Sequence, residues 1–508
     1  MAHVKQTGIK KVVIVGGGTA GWMAAAAQAR ILGHKIAIEL VESDDIASVG
    51  VGESTIPMMR LFNQVLGLDE DEFVRATQAT FKLGIEFVDW GALGESYMHG
   101  FGRFGPDLGT VDFYQYWLKR QQQGKAPDLG LYSINQMAAR SGKFMRARPE
   151  ALNSPLADIT SAFHIDAGLY ARYLRQYSEA LGVIRTEGKV QDVRLDATSG
   201  HVTALRLESG SEIAGQLFID CTGFRALLIE EALHTGFDDW SAWLPCDRAW
   251  VVPCAAGPQL LPYTRATARR AGWQWRIGLQ HRTSNGHVFA SHFISDDEAA
   301  AQLMDTLDGA PLAPPRLLKF TAGRRRKTWN RNVIALGLSA GFLEPLESTS
   351  IYLIQSTIAR LLTFFPDAGF DAGDIAEFNA QADFELERIR DFLILHYHAT
   401  TRTDSPFWDY CRTMPIPDSL RSKLSLYQSH GRIIRDNNEL FTPNGWLQVM
   451  HGQGIRARGY HPLVDLLDDQ QLSDFLDETR GVVAKCVGVM PTHADYVDAL
   501  IGAGKKVN

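Results

Sequence analysis

Apolar residues follow two different periods along the chain. Short continuous apolar runs, Lys10 to Val15, Ile36 to Val41, Leu217 to Ile219 and Val333 to Ala335, predict strands buried on both faces, as in a parallel sheet. Helical spacing follows the first of them at Trp22 to Ala29 and recurs at Asp166 to Leu181 and Tyr352 to Leu362. From Phe370 onward the pattern turns mainly helical, with helices expected over Asp374–His398, Pro417–Ile434 and Leu472–Cys486. An α/β class follows. We expect one region over 1–365 and a mainly helical region over 366–508.

The first strand runs directly into Gly16-Gly17-Gly18-Thr19-Ala20-Gly21, then a helix, then a second strand ending at Glu42. This is a dinucleotide fingerprint in its required context of strand, glycine turn, helix, strand and acid. Gly16 makes the tight turn, Gly18 admits the pyrophosphate to the backbone, and Gly21 lets helix and strand pack closely. Glu42 stands where a carboxylate holds ribose hydroxyls. The motif alone does not choose between FAD and NAD.

Bulk properties narrow the partners. The 508 residues carry a net charge of −7, with 45% hydrophobic and 21% charged residues. That balance argues against nucleic acid as the main partner. The one dense basic run, Arg324 to Lys327, reads as a solvated turn in preference to a phosphate contact. Five scattered cysteines without C-x-x-C spacing argue against a zinc site or a disulfide framework, and no metal site is expected. The N-terminus reads as lacking a signal peptide, and no run is long enough to cross a bilayer. A soluble cytoplasmic protein with no membrane partner is the expectation; a homodimer is allowed.

The chain reversal Glu344-Pro345-Leu346-Glu347-Ser348-Thr349-Ser350 gathers carboxylates, hydroxyls and the free amides of a helix start. Ser348 or Thr349 is a natural N-cap, and the helix amides offer an anion site. The segment resembles the Glu-Pro-Leu-Glu-Ser-Thr region of the flavin-dependent tryptophan/indole halogenases. Val49 to Pro57 is similar to the loop that covers the flavin in that family, and the resemblance places Val51, Gly52 and Ser54 at the cofactor. Asp220 and Gly337 fall in segments similar to those closing the FAD box and carrying the ribityl contact. Leu338 stands where related hydroxylases have Asp.

The resemblance implies a fold and a chemistry. The fold is an FAD-binding Rossmann-like box of the glutathione-reductase/hydroxylase type, with an added β-sheet and a helical C-terminal cap. Its FAD module would be assembled from about 1–90, 155–235 and 325–365. FADH2 from a separate flavin reductase, with O2, would oxidise bromide or chloride to hypohalous acid. Lys82, in Phe81-Lys82-Leu83-Gly84, would capture or hydrogen-bond that oxidant. Glu347, with Ser348 beside it, would stabilise the charge developing on the ring, and Thr349 and Ser350 would flank the halide. Trp273 and Trp275 resemble a Trp-x-Trp box near the flavin; Gly278 replaces the usual Pro. His99 and Phe101, with Trp446 opposite, resemble the residues that sandwich the small aromatic substrate; core packing is the equal alternative for Trp446.

Two departures bear on specificity. Ser350 replaces a glycine found in many members, which points toward bromide. Ile434, Arg435 and Phe441 occupy the positions at which tryptophan-specific members hold the amino acid's charged end. We therefore expect indole or an indole derivative in preference to free tryptophan. An FAD-dependent aromatic hydroxylase and a flavin-binding protein without turnover stay open as alternatives.

Overall fold

A computed structural model describes residues 8–46 and 52–504. The chain divides into two compact units. The first comprises the chain up to Ala79, Ile165–Ser241 and Phe320–Leu386; the second comprises Thr80–His164, Ala242–Lys319 and the chain from Glu387 on.

The first unit is built on a six-stranded sheet. Its order is Trp329–Asn330, Val333–Ala335, Leu217–Asp220, Lys11–Val15, Ala37–Glu42 and Ile184–Glu187. The inner pairings are parallel, and only the edge pair Trp329–Asn330 with Val333–Ala335 is antiparallel. Val12, Val13 and Ile14 are fully buried. Both faces of the central strand are covered, which is why its sequence is an unbroken apolar run. The helix Thr19–Leu32 follows the glycine turn and packs on the helix Ala167–Ala180. Its buried alanines, Ala24 to Ala27, allow that close approach. Asp166 caps the second helix by accepting from the Leu169 N–H at 3.0 Å.

Only the second half of the basic run, Arg326 and Lys327, is an exposed turn. Gly323–Arg325 is a strand, and the Arg324 and Arg325 side chains are largely buried. Arg324 pairs with Asp383 and Asp238, and Arg325 with Glu230 at 2.8 Å. Carboxylates distant in sequence neutralise these two charges, so this half of the run can be buried; Arg326 and Lys327 are exposed.

The second unit is built on a seven-stranded sheet. Its order is Arg316–Lys319, Arg248–Cys254, Thr283–Phe289, Gly272–Gly278, Thr264–Arg269, Gly84–Val88 and Ser96–Gly100. The pairings are antiparallel except that of Thr264–Arg269 with Gly84–Val88. Helices dominate the C-terminal part. The helix expected over Pro417–Ile434 is Asp418–His430, because Gly431 turns left-handed at φ +65 and stops it. The last long helix, Asp469–Gly488, starts earlier than expected at an Asp468/Gln471 capping box.

Buried imidazoles concentrate in this unit. The Phe81 N–H donates to His493 Nε2 at 3.1 Å, and His493 Nδ1 lies 3.0 Å from the Leu260 carbonyl. One nitrogen accepts and the other donates, so the ring is neutral. Burial holds His493, His287 and His451 down to about 4, and burial and then Lys82 push His164 well below its ordinary range. A depressed imidazole binds its proton more readily in the unfolded chain. Its contribution is therefore complete above about 6.5 and lost as pH falls toward about 4, at up to ~3 kcal/mol per group. We expect the urea unfolding midpoint to fall steeply across that window, and His493→Gln to flatten the slope.

Candidate active site

The glycine turn of the first unit is defined by close approach. Gly16 adopts φ +109, and its N–H donates to the Val41 carbonyl at 2.8 Å. A Cβ on Gly16 would lie 2.2 Å from the Cys221 carbonyl oxygen, and one on Gly21 would lie 1.9 Å from the Gly16 oxygen. Gly18 is different, for a Cβ there meets nothing within 4 Å. The helix that starts beside it has no side-chain cap and no acidic residue in its first turn. Open space against the positive end of a helix fits a pyrophosphate.

Glu42 completes the cradle. Its Oε1 accepts from Arg185 Nε at 2.6 Å, while Oε2 lies where a Cβ on Gly17 would be. One oxygen is thus held by a cation and the other faces the glycine turn, an arrangement that fits ribose hydroxyls. Asp220 lies behind the cradle. Its carboxylate accepts from the Thr222 hydroxyl at 2.6 Å, the Thr222 N–H at 3.0 Å, and the Leu228 and Ile229 N–H groups at 2.8 Å each. Both oxygens are engaged, so any part Asp220 takes in holding a nucleotide runs through the turn it fixes. Gly337, at φ +70, brings its turn onto Ala20 in the first turn of the nucleotide helix. Gly52 and Ser54 lie in a short buried strand, and Val51 falls outside the described residues. Burial pushes the Glu53 carboxyl between them up to about 7, although part of its surface is open.

The halide segment of the same unit has an unusual start. Pro345–Glu347 form one 3-10 turn, and Ser348 is left-handed at φ +60. Thr349 then occupies the N-cap position of the helix Ser350–Thr363, with no side-chain cap bond. The expected cap is therefore present in position but not in bonding. The Thr349 hydroxyl is fully buried and has no hydrogen-bond partner among the described residues. Such a group costs about 1–3 kcal/mol unless something accepts its proton. An anion at the uncapped amides would do so. Glu347 is 2% exposed, and Ser348 beside it is also buried; Ser350 is half-buried as the first helical residue.

The second unit carries the remaining predicted residues. Lys82 ends the strand Thr80–Lys82 and is 0% exposed. Its ammonium lies 5.2 Å from the centroid of the Phe101 ring. Opposite it in the ladder is Ala162, and His164 lies diagonally across, facing Thr80. The Thr80 hydroxyl donates to the Gly278 carbonyl at 2.6 Å, so at 3.3 Å it accepts from His164 Nδ1–H. His164 Nε2 then accepts from Thr264 at 2.9 Å. A tautomer-fixed, neutral imidazole thus adjoins the lysine.

His99 lies within 3.0 Å of where a Cβ on Gly445 would stand, at the start of the helix bearing Trp446. Lys82, Phe101, His99 and Trp446 therefore belong to one neighbourhood of this unit. Trp446 is 1% exposed, with Lys423 Nζ 4.8 Å over its ring and Phe392 edge-on at 4.8 Å. Trp273 and Trp275 are buried in the sheet, their indole N–H groups without partners, and Trp275 lies flat against Gly286. His396, His398 and Trp408 bond backbone carbonyls and Asp404 pairs with Arg402, all in structural roles.

Sequence reasoning missed Arg185, Lys423, Glu439 and Phe392. None is marked by a local motif. Glu53 was legible, as the only acid inside the glycine loop.

A strand–glycine–helix cradle that fits a dinucleotide shares its unit with an uncapped, buried helix start, the combination of a nucleotide-binding α/β protein. The family model for tryptophan halogenases matches residues 11–469. The 7-chloro-L-tryptophan 6-halogenase KtzR of Kutzneria sp. (strain 744) is 31% identical, covering 97% of this chain and 99% of its own length. The tryptophan 7-halogenase RebH of Lentzea aerocolonigenes is 33% identical, covering 83% of this chain and 82% of its own. The solved structure of Xcc4156, a flavin-dependent halogenase from Xanthomonas campestris, superposes with TM-score 0.94 at 48% identity, covering 97% of this chain and 98% of that one. BrvH, a flavin-dependent halogenase from Brevundimonas sp. BAL3, superposes with TM-score 0.93 at 46% identity, covering 97% and 99%. The chain belongs to the tryptophan halogenase family, whose flavin-dependent enzymes use FADH2, halide and O2. Among the described residues no helix is long and apolar enough to cross a membrane.

The cradle generates a direct test. Gly18→Val places a side chain in space that no atom of the described residues fills. We expect thermal stability to be retained while FAD affinity, read by flavin fluorescence, falls at least about tenfold.

Proposed function

We propose that this protein halogenates an electron-rich aromatic ring, indole or an indole derivative in preference to free tryptophan. A separate flavin reductase supplies FADH2, and bromide is the favoured halide. The observation that carries the reading is the buried, unpartnered Thr349 hydroxyl at an uncapped helix start, next to the buried Glu347. These groups offer a halide its donors and hold a carboxylate close by.

FAD would be held by the Gly16–Gly21 turn and by Glu42, and when bound and reduced it supplies, with O2, the oxidising equivalents for halide. In this reading the chain's own residues do the rest. The Thr349 hydroxyl and the first helix amides donate to the halide. The Lys82 ammonium, desolvated and steadied by the Phe101 ring, donates to the hypohalous acid and aims its halogen at the substrate. The Glu347 carboxylate stabilises the positive charge on the ring and takes its proton as aromaticity returns. His99, Phe101 and Trp446 hold the substrate ring. Ser350, in place of glycine, reshapes the halide's surroundings.

Only part of the charge near Trp446 is paired within the chain. Lys423 donates to Glu439 at 2.9 Å, with both side chains buried, and Arg435 bonds the Glu439 carbonyl at 2.6 Å. The Lys423 ammonium is thus engaged within the chain, while Glu439 Oε2 is buried without a hydrogen-bond partner among the described residues.

Lys82→Ala and Glu347→Gln should each lower bromination of indole at least about a hundredfold while FAD still binds. Combining them should cost little more than either alone, because residues that act on one reacting molecule are not additive. Full activity in either single variant removes the assignment. With FAD, flavin reductase, NADH and O2 present, kcat/KM should be higher for indole than for tryptophan, and bromide should outcompete equimolar chloride. A clear preference for tryptophan or for chloride overturns that part of the reading.

A further inference from the structure

We propose that Gln448 is a positioning residue that sets the width of the aromatic slot, by tying the Trp446 helix to the edge strand that carries His99. The inference rests on the reading that His99, Phe101 and Trp446 hold the substrate ring.

Ser96–Gly100 is an edge of the seven-stranded sheet, and the backbone groups on its outer side need partners from outside the sheet. Side chains supply them. Gln448 Oε1 accepts from the Gly100 N–H at 2.7 Å, and Gln448 Nε2 donates to the Gly100 carbonyl at 3.1 Å. Gln136, on the helix Ile134–Arg140, donates to the Met98 carbonyl at 3.1 Å and to Gln448 Oε1 at 2.6 Å. Gln448 Nε2 also donates to the Asn444 carbonyl at 2.9 Å, one turn back in its own helix. All four hydrogen-bonding positions of the amide are occupied. Gly100 has no slack, because a Cβ there would lie 2.7 Å from Gln136 Cγ.

The position of this clamp gives it a function. Gln448 is two residues from Trp446 and is 6% exposed. Gly100 lies between His99 and Phe101. The amide thus joins the two proposed walls of the slot at the backbone, and Phe101 in turn touches the Lys82 ammonium. A polar residue on the buried face of a helix otherwise lined by Trp446, Leu447, Val449 and Met450 is the sequence signal of this role. A loosened clamp lets the ring sit at more than one angle to the oxidant, and sub-ångström placement governs rate and position of attack.

The test uses the full chain with FAD, flavin reductase, NADH, O2, bromide and indole as probe. Gln448→Leu should raise KM for indole about tenfold with a smaller change in kcat, and should change the ratio of positional isomers. Gln448→Glu keeps the two acceptor contacts but loses both donations, to the Gly100 and Asn444 carbonyls, so it should also raise KM for indole and change the isomer ratio. If Gln448→Leu does not fold, Gln448→Glu alone decides by the same two readouts. KM and isomer ratio within about twofold of the parent, whatever happens to the melting temperature, mean that the amide merely caps the edge strand, and the inference fails. Trp446→Ala separates the two levels. A raised KM there, with parental behaviour in the Gln448 variants, sinks this inference alone; a parental KM in Trp446→Ala sinks the slot itself.

Discussion

The first unit depends on backbone contact at the end of its central strand. A Cβ on Gly16 would stand 2.2 Å from the Cys221 carbonyl oxygen, and one on Gly21 1.9 Å from the Gly16 oxygen. No L side chain fits either place. Because nothing intervenes, the strand, the nucleotide helix and the turn after Leu217–Asp220 lie at a fixed spacing. Asp220 holds that turn with four hydrogen bonds, and the Gly337 turn rests on Ala20 in the same helix. From Gly337 the chain reaches the halide segment within a few residues. The geometry of the glycine cradle and of the uncapped start of the helix Ser350–Thr363 therefore traces back to one crowded junction.

Polar groups elsewhere are sorted into satisfied and orphaned, and among the described residues orphans occur in the scaffold as well, as at Gln28 and Asn63. Arg324, Arg325 and Asp220 are buried with their charges answered. His493 and His164 are buried neutral, each tautomer set by a donor on one nitrogen and an acceptor on the other. The Thr349 hydroxyl has no such answer. A folded chain tolerates that cost when a ligand removes it. The same reasoning gives the Trp446 region its character. Lys423 and Glu439 pair there, Glu439 Oε2 has no partner among the described residues, and the aromatic surfaces are extensive.

Much of this was legible in advance, for local reasons. Unbroken apolar runs marked the central strands, since burial on both faces leaves no polar position to alternate. The glycine turn was legible because only glycine tolerates the contacts described above. Helix ends were less so. Gly431 cut one helix short, and Asp468 with Gln471 began another early, through capping chemistry that periodicity does not register. The reading of Arg324 to Lys327 as solvent-exposed holds for Arg326 and Lys327 and failed for Arg324 and Arg325, because density of charge along a chain says nothing about carboxylates 59 residues away.

What the sequence determined by itself is the class of fold, the dinucleotide cradle and membership of a halogenase family. Each follows from short segments whose conformation and neighbours are set by the residues within them. Tertiary structure alone decided which charges cancel and which backbone groups are clamped. It paired Lys423 with Glu439, set Arg185 against Glu42, and brought Gln448 to Gly100 across 348 residues. Coulomb and hydrogen-bond energies depend on distance in space and on burial, and neither quantity is written along the chain.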